Sequence, residues 1–412
     1  MGFNTSLLHD KYSADEKTGA TNVPLYQSVS FKHDTAEALE RVFAGSEFGY
    51  IYTRINNPTI EAFERRISHL EKGSGAIACA SGMAAVTLAI LNILKSGDEL
   101  VAGNGIFGGT FSLFKELEHF GITTKYALDN RPETYEACIT EKTRAVFIET
   151  IGNPKLDVPD ITEIAKVTHK KGIPLIVDST VTTPYMIKPI ELGADIVIHS
   201  TSKYINGSAN SIGGIIIDSG RFKWDYEKFP ALKEFKKFGQ FVYLAKLRKG
   251  LFKDFGACIS PFNSYMNSLG LETLGLRMQR ICTNAKDLAS YLNGEFKEVI
   301  VNYPGLEKSS DHEIAKKQFK DKFGGVLTLR VGTKEKAFKV INNLNYAQNI
   351  ANIGDIRTLV IHPASTIYAT NTLEEKEAMG VYEDLIRVSV GIEDIEDIVE
   401  DFQKALSQSG VI

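Results

Sequence analysis

Between about residue 55 and residue 220, short apolar runs rich in Val and Ile alternate with segments of helical periodicity. The apolar runs contain almost no polar residues, so both faces of each predicted strand are expected to be buried. Continuous apolar strands separated by helices are typical of a mainly parallel sheet with helices on both faces. The sequence therefore predicts an α/β fold with a binding crevice beyond the carboxyl ends of the strands. The predicted strands are 76–80, 145–148, 174–177, 195–198 and 215–217.

The chain has 412 residues, more than one hydrophobic core usually serves, so two domains are expected. After the alternating region, a long helical pattern runs through 271–281, and apolar strands follow at 325–329 and 386–390. The first fifty or so residues are polar, rich in turn residues and irregular in pattern. We predict an N-terminal arm over 1–55, a large domain over 56–261 and a smaller α+β domain over 262–412.

The net charge of −4 excludes a strong positive field for nucleic acid or anionic lipid. No apolar stretch is long enough to cross a bilayer, so no membrane partner is expected. Four cysteines (Cys79, Cys138, Cys258 and Cys282) lie far apart, without the spacing of a metal site. We therefore expect a reduced, cytoplasmic protein that binds no metal.

Polar residues with complementary chemistry follow three of these apolar strands. Asp178 ends one strand, Lys203 follows the end of the next, and Ser81-Gly82-Met83 opens a helix after the first. Taken alone, the Asp is typical of a turn, the Lys of a solvated side chain, and the Ser-Gly pair of a helix cap. Together they match a phosphorylated pyridine aldehyde, which needs an anion beside its ring nitrogen, an amine for its aldehyde and donors for its phosphate. Their order on successive strands favours this second interpretation.

The surrounding sequence resembles a known family. The segments 177–180, 183–185, 193–204 and 213–214 are similar to the signature of the Cys/Met-metabolism family of pyridoxal-phosphate (PLP) enzymes. The likeness extends from about Pro24 to Glu393. It implies a fold type I PLP transferase in which each active site is shared between two subunits of a homo-oligomer, typically a tetramer.

The resemblance assigns roles residue by residue. Lys203 is expected to bind the cofactor aldehyde covalently and then to move protons on the substrate. Phe107 is expected to stack on the cofactor ring, although the family usually has tyrosine at this position. The other implied residues are Asp178 for the ring nitrogen; Gly82, Met83, Ser200 and Ser202 for the phosphate; Tyr52 and Arg54 for a neighbouring subunit's phosphate; and Arg387, Asn153 and Asn352 for the substrate.

Two features favour the sulfhydrylase branch of the family: a segment after the lysine strand, at 217–251, and the motifs at 351–355 and 359–365. This branch implies γ-replacement on O-acetyl-L-homoserine by sulfide, a small thiol or a protein-borne sulfur, giving homocysteine or methionine and acetate. Ile367-Tyr368 departs from the usual Thr-His pair. A γ-lyase acting on methionine, homocysteine or cystathionine remains an alternative, as does a cystathionine γ-synthase.

A separate local pattern favours a different class of enzyme. Residues 103–108 form a GxGxxG motif after an apolar run, and Asp129 follows Gly108 by 21 residues. This spacing is close to that of a dinucleotide-binding fingerprint, so an NAD-dependent dehydrogenase is the remote alternative. A lone fingerprint is weak, and the family resemblance explains the same glycines as a loop beside the cofactor ring.

Overall fold

The computed structural model describes residues 1–9, 15 and 18–412. Its larger sheet has seven strands in the order β1-β7-β6-β5-β4-β2-β3. All neighbours in this sheet are parallel except β7, which is antiparallel to both β1 and β6. The predicted, mainly parallel α/β sheet is therefore confirmed. The strands are β1 (Gly75–Cys79), β2 (Glu99–Ala102), β3 (Thr123–Tyr126), β4 (Thr143–Glu149), β5 (Leu175–Asp178), β6 (Ile196–Ser200) and β7 (Gly214–Asp218).

The two faces of this sheet are buried in separate hydrophobic clusters. Val146 and Ile148 of β4 belong to one cluster, whereas Ala145 and Phe147 belong to the other. Alternate residues of β5, β6 and β7 divide in the same way. Because side chains alternate across a strand, a strand covered on both faces must be apolar at every position. This explains the unbroken apolar runs in the sequence.

Local capping signals set where several helices begin. Asn57 caps α3 and precedes Pro58, Ser81 caps α4, and Asp160 caps α7. The helices up to the second domain are α1 (Phe3–His9), α2 (Ala36–Ala44), α3 (Pro58–Glu71), α4 (Gly82–Leu91), α5 (Gly108–Glu118), α6 (Pro132–Cys138), α7 (Ile161–Lys170), α8 (Thr183–Met186), α9 (Val242–Lys249), α10 (Leu251–Phe255), α11 (Pro261–Glu272) and α12 (Leu274–Glu295), with 3₁₀ helices at Pro189–Leu192 and Pro230–Phe241.

A second sheet of five strands has the order β10-β11-β12-β9-β8 and is antiparallel except between β10 and β11. Helix α12 leads into it and packs against β8, β9 and α16. These strands and helices are β8 (Ile300–Asn302), α13 (His312–Phe319), β9 (Val326–Arg330), α14 (Lys334–Asn343), β10 (Gln348–Asn349), β11 (Leu359–Ile361), a 3₁₀ helix (Pro363–Ser365), α15 (Leu373–Ala378), β12 (Leu385–Ser389) and α16 (Ile395–Gln408).

The N-terminal segment is more ordered than its sequence indicates. We expected an irregular arm over 1–55, yet α1 and α2 lie within it, and Leu7 of α1 is buried. Helix α1 packs against α3, α11 and α12. The apolar side of this short helix is therefore buried against its neighbours. Residues 10–14, 16 and 17 of the arm lie outside the described residues. Across the described chain, no helix has the length and apolar character needed to traverse a lipid bilayer.

Candidate active site

Three neighbouring strands end in polar residues at one edge of the large sheet. Glu149 ends β4, Asp178 ends β5 and Ser200 ends β6, and Asp178 is in register with both Glu149 and Ile198. Strand β1 runs in the same direction as β6, so the start of α4 meets this edge too. A cavity of about 460 Å³ lies here, bounded by strand ends and by loops of the C-terminal domain. The predicted crevice beyond the carboxyl ends is therefore present.

Asp178 is held in place by the residue two positions after it. The backbone N–H and the hydroxyl of Thr180 donate to Asp178 Oδ1 at 2.9 and 2.5 Å. The same hydroxyl accepts from the Ser200 N–H at 2.8 Å, which ties the ends of β5 and β6 together. Burial raises the pKa of the Asp178 carboxyl above its usual value. A cation beside this carboxyl would lower the pKa again, so the site favours a positively charged partner.

The Lys203 amine faces the same cavity and donates to Asn352 Oδ1 at 2.5 Å. Burial, and secondarily the Arg387 guanidinium, lower the pKa of Lys203 to about 8. The uncharged fraction of the amine at neutral pH is therefore much larger than for a solvated lysine. An uncharged amine is nucleophilic and can accept a proton, the two properties expected of this residue.

The start of α4 offers a site for an anion. Gly82 and Met83 lie in the first turn, where backbone N–H groups lack partners within the helix. A Cβ on Gly82 would lie 2.6 Å from Ser200 Cβ, so only glycine allows the helix to approach the strand this closely. Ser200 and Ser202 add hydroxyl groups to the cavity wall, with the Ser202 hydroxyl also bonded to the Gly213 backbone.

Arg387 enters the cavity from β12 of the second sheet. It is 3% exposed, and its guanidinium donates to Asn153 Oδ1 at 3.1 Å and to the Asn352 carbonyl at 3.0 Å. Both partners are neutral. Although burial lowers the pKa of Arg387 to about 10, the side chain remains a cation at neutral pH. The structure thus places the three predicted substrate-binding residues together, around a positive charge whose two hydrogen-bond acceptors are neutral, which suits a carboxylate.

The glycines of the GxGxxG motif are explained by packing. Added Cβ atoms would meet the Tyr135 hydroxyl at Gly103, the Asp157 carboxylate at Gly105 and the Tyr368 ring at Gly108, each within 2.9 Å. The glycines therefore make room for side chains of the same chain. Phe107, next to Gly108, lines the cavity.

Tyr52 and Arg54 do not line this cavity within one chain. Tyr52 is 40% exposed, and Arg54 donates to the Lys253 carbonyl at 2.5 Å. Their separation from the cavity is what we expect if they serve a neighbouring subunit.

Three further residues at the site had no role in the sequence prediction. Thr180 positions Asp178, Glu149 lines the cavity, and the Tyr368 hydroxyl donates to the Asn153 carbonyl at 2.8 Å. Glu149 could have been found, because it ends a buried strand just as Asp178 does. Tyr368 gave no comparable signal, since its contacts depend on how the two domains pack.

A model of the family described as Cys/Met metabolism PLP-dependent enzyme matches residues 4–407. The chain belongs to this family. It is 42% identical to a homocysteine synthase of Schizosaccharomyces pombe, over 98% of both chains. It is 40% identical to an O-acetyl-L-homoserine sulfhydrylase of Leptospira meyeri, over 98% of this chain and 96% of that protein.

Solved structures support the same fold. A crystal structure from Campylobacter jejuni, assigned as an O-acetylhomoserine (thiol)-lyase, superimposes with a TM-score of 0.93 at 30% identity, over 98% of this chain and 99% of that one. That structure contains pyridoxyl-lysine monophosphate.

Membership of the family makes this chain a PLP-dependent enzyme and removes the dehydrogenase alternative. The donor set fits the cofactor. One cavity combines an amine of lowered pKa, a buried carboxyl group whose hydrogen-bond donors are the neutral groups of Thr180, and a helix start that Gly82 allows to approach Ser200 closely. These groups match the aldehyde, the ring nitrogen and the phosphate of PLP.

Proposed function

We propose that this enzyme catalyses γ-replacement on O-acetyl-L-homoserine, with sulfide or a small thiol as the sulfur donor. The observation that carries the proposal is the link through Asn352: its side chain accepts from Lys203, and its carbonyl accepts from Arg387. A substrate carboxylate bound to Arg387 would bring the adjacent Cα close to the lysine amine. The names of the relatives support the acetyl ester as substrate and homocysteine as product.

We assign the cofactor contacts to the cavity residues. Lys203 would bind the aldehyde of PLP, Asp178 would stabilise the protonated ring nitrogen, and Phe107 would stack on the ring. The N–H groups of Gly82 and Met83, with the hydroxyls of Ser200 and Ser202, would hold the phosphate. Bound PLP supplies an electron-withdrawing ring that stabilises negative charge on the substrate carbons.

The residues of the chain carry out the remaining work. Arg387 and Asn153 hold the α-carboxylate, and the Lys203 amine removes protons from Cα and Cβ and later returns them. The Cγ–O bond breaks with loss of acetate, and the sulfur donor forms the new Cγ–S bond. Acetate leaves without needing a proton, so the absence of a hydroxyl on Phe107 does not impede this reaction.

We further propose a homo-oligomer, a tetramer as in the family, in which Tyr52 and Arg54 complete the phosphate site of a neighbouring subunit. The separation of both residues from their own chain's cavity supports this arrangement. Refolding a mixture of inactive Lys203→Ala and Arg54→Ala subunits should restore about a quarter of wild-type activity, because half of the randomly formed pairs contain one intact site. A mixture as inactive as its components would contradict shared sites.

The four cysteines form no disulfide, which is compatible with our proposal of a reducing, cytoplasmic location.

The catalytic proposal itself is tested by incubating the purified holoenzyme with O-acetylhomoserine and sulfide, and separately with methionine alone. We expect homocysteine and acetate from the first mixture, and loss of both in the Lys203→Ala variant. Ketobutyrate and ammonia from methionine, without homocysteine from the ester, would identify a lyase instead.

A further inference from the structure

Glu149 is a buried carboxyl group to which the proposed reaction gives no role. It is 8% exposed, lines the active-site cavity and lies beside Asp178 in the register of β4 and β5. Its Oε1 accepts the Phe107 backbone N–H at 2.7 Å. Glu149 therefore links the end of β4, which lines the cavity, to Phe107, the residue expected to stack on the cofactor ring.

The groups around Glu149 disfavour a second negative charge. The charges that act on it most strongly are the carboxylates of Asp178 on β5 and Asp157 on the loop after β4, and the neutral phenols of Tyr368 and Tyr135 also lie nearby. Burial and Asp178 raise the pKa of Glu149 well above its usual value. Asp178 has two donors from Thr180, whereas Glu149 has one from Phe107, so Asp178 is the better site for the charge.

A second, much smaller cavity also has Glu149 in its lining. It measures about 10 Å³ and is lined by polar groups that include Glu149, Asp157, Asn130 and Tyr135. Asn130 donates to Asp157 Oδ2 at 2.9 Å, and Tyr135 donates to Asn130 at 3.1 Å. This volume is close to the smallest that holds one water, and its lining offers partners for such a water. Because Glu149 lines this cavity, a water held there would offer a hydrogen-bond acceptor to a proton on its carboxyl group.

We propose that Glu149 is a positioning residue that stays protonated in the resting holoenzyme, anchors Phe107 through its backbone N–H, and leaves Asp178 as the charged carboxylate for the cofactor ring nitrogen. The last role rests on the proposed function, whereas the protonation of Glu149 and its contact with Phe107 do not. The proposal explains how two carboxyl groups occupy adjacent strand ends beside one cofactor.

Infrared difference spectroscopy of the holoenzyme at neutral pH tests the protonation directly. Subtracting the Glu149→Gln spectrum from the wild-type spectrum should leave the carbonyl stretch of one protonated carboxyl, shifted in D₂O. The matched control is Glu116→Gln, on the exposed face of α5, which should leave no such band. A wild-type minus Glu149→Gln spectrum without this band would overturn the proposal.

A second measurement tests the anchoring of Phe107. Glutamine keeps a neutral acceptor for the Phe107 N–H, so Glu149→Gln should retain the circular dichroism of the bound cofactor, with a cofactor Kd within about threefold of wild type. Glu149→Ala leaves the N–H unpaired and should weaken that signal and raise Kd about tenfold. Equal loss of the dichroism signal and equal rise in Kd in the Gln and Ala variants would overturn the proposal.

The infrared and activity measurements together separate this inference from the proposed function. If the infrared band is missing while O-acetylhomoserine is still converted, only this inference fails. If the band is present but O-acetylhomoserine is not converted, the proposed function is wrong instead.

Discussion

The two sides of the active-site cavity are built differently. On one side, Glu149, Asp178 and Ser200 end adjacent strands of the large sheet, and Thr180 links two of these ends. On the other side, Arg387 and Asn352 come from the C-terminal domain and are held by contacts to Asn153 and Lys203 of the large domain. We call these the sheet side and the domain side.

This difference in construction coincides with a division of assigned roles, cofactor binding on the sheet side and substrate binding on the domain side. The sheet side is held by hydrogen bonds between and just beyond neighbouring strands of one sheet, and it carries the groups assigned to the cofactor. The domain side depends on hydrogen bonds between domains, including the one from Tyr368 to the Asn153 carbonyl, and it carries the groups assigned to the substrate. Substitutions on the two sides should therefore have separable effects on cofactor chemistry and on substrate affinity.

The largest effect is expected on the sheet side. Asp178→Asn removes the anion for the ring nitrogen, so kcat should fall about 10³-fold, with KM much less affected. Steady-state kinetics and the absorption spectrum of the bound cofactor measure this change. The same substitution at Asp129, which pairs with Arg131 in a surface loop, should leave both unchanged. Wild-type kcat in Asp178→Asn would show that the sheet side does not control the chemistry.

On the domain side, Arg387→Met should raise KM about 100-fold, because a carboxylate loses its charge-assisted hydrogen bonds. The cofactor spectrum should remain that of the wild type. Arg280→Met is the matched control, since Arg280 bonds Asp394 outside the cavity. If Arg387→Met instead released the cofactor and left KM unaltered, the division between the two sides would be wrong.

The sequence is much more informative about the sheet side than about the domain side. Asp178 and Lys203 could be predicted from physical reasoning alone, because polar residues after buried parallel strands gather at one edge. Arg387 and Asn352 were predicted only from the family resemblance, since nothing in their local pattern indicates that they face Lys203. Tyr368 was noted as a departure, but its contact with Asn153 depends on domain packing. Ser202 was predicted as a phosphate donor, and its bonds to Gly213 could not be foreseen.

The two sides also meet at Lys203, whose pKa of about 8 reflects burial first and Arg387 second. Covalent attachment of PLP to apoenzyme needs the uncharged amine. Its rate should therefore rise up to about tenfold per pH unit below pH 8 and level off above it. In Arg387→Met, the loss of a neighbouring cation should move the plateau to higher pH. Stopped-flow absorbance measures both profiles. A plateau that moves to lower pH would contradict this coupling.

The smallest effect is expected at Phe107, which lines the cavity and is bonded through its N–H to Glu149. Phe107→Tyr restores the hydroxyl usual in the family, but acetate leaves without protonation, so the rate with O-acetylhomoserine and sulfide should change less than about threefold. Elimination of thiol from methionine should increase, because a thiolate leaving group benefits from an acid. Parallel assays of the two substrates give the ratio. A large gain with the acetyl ester alone would contradict the leaving-group argument.

The account depends above all on a covalent bond between the Lys203 amine and PLP. Reducing the holoenzyme with borohydride, digesting it and mapping the peptides by mass spectrometry tests this directly. We predict one added pyridoxyl phosphate mass, on the peptide that contains Lys203. The same mass on another lysine, or its absence from reduced enzyme that was active before treatment, would contradict the account.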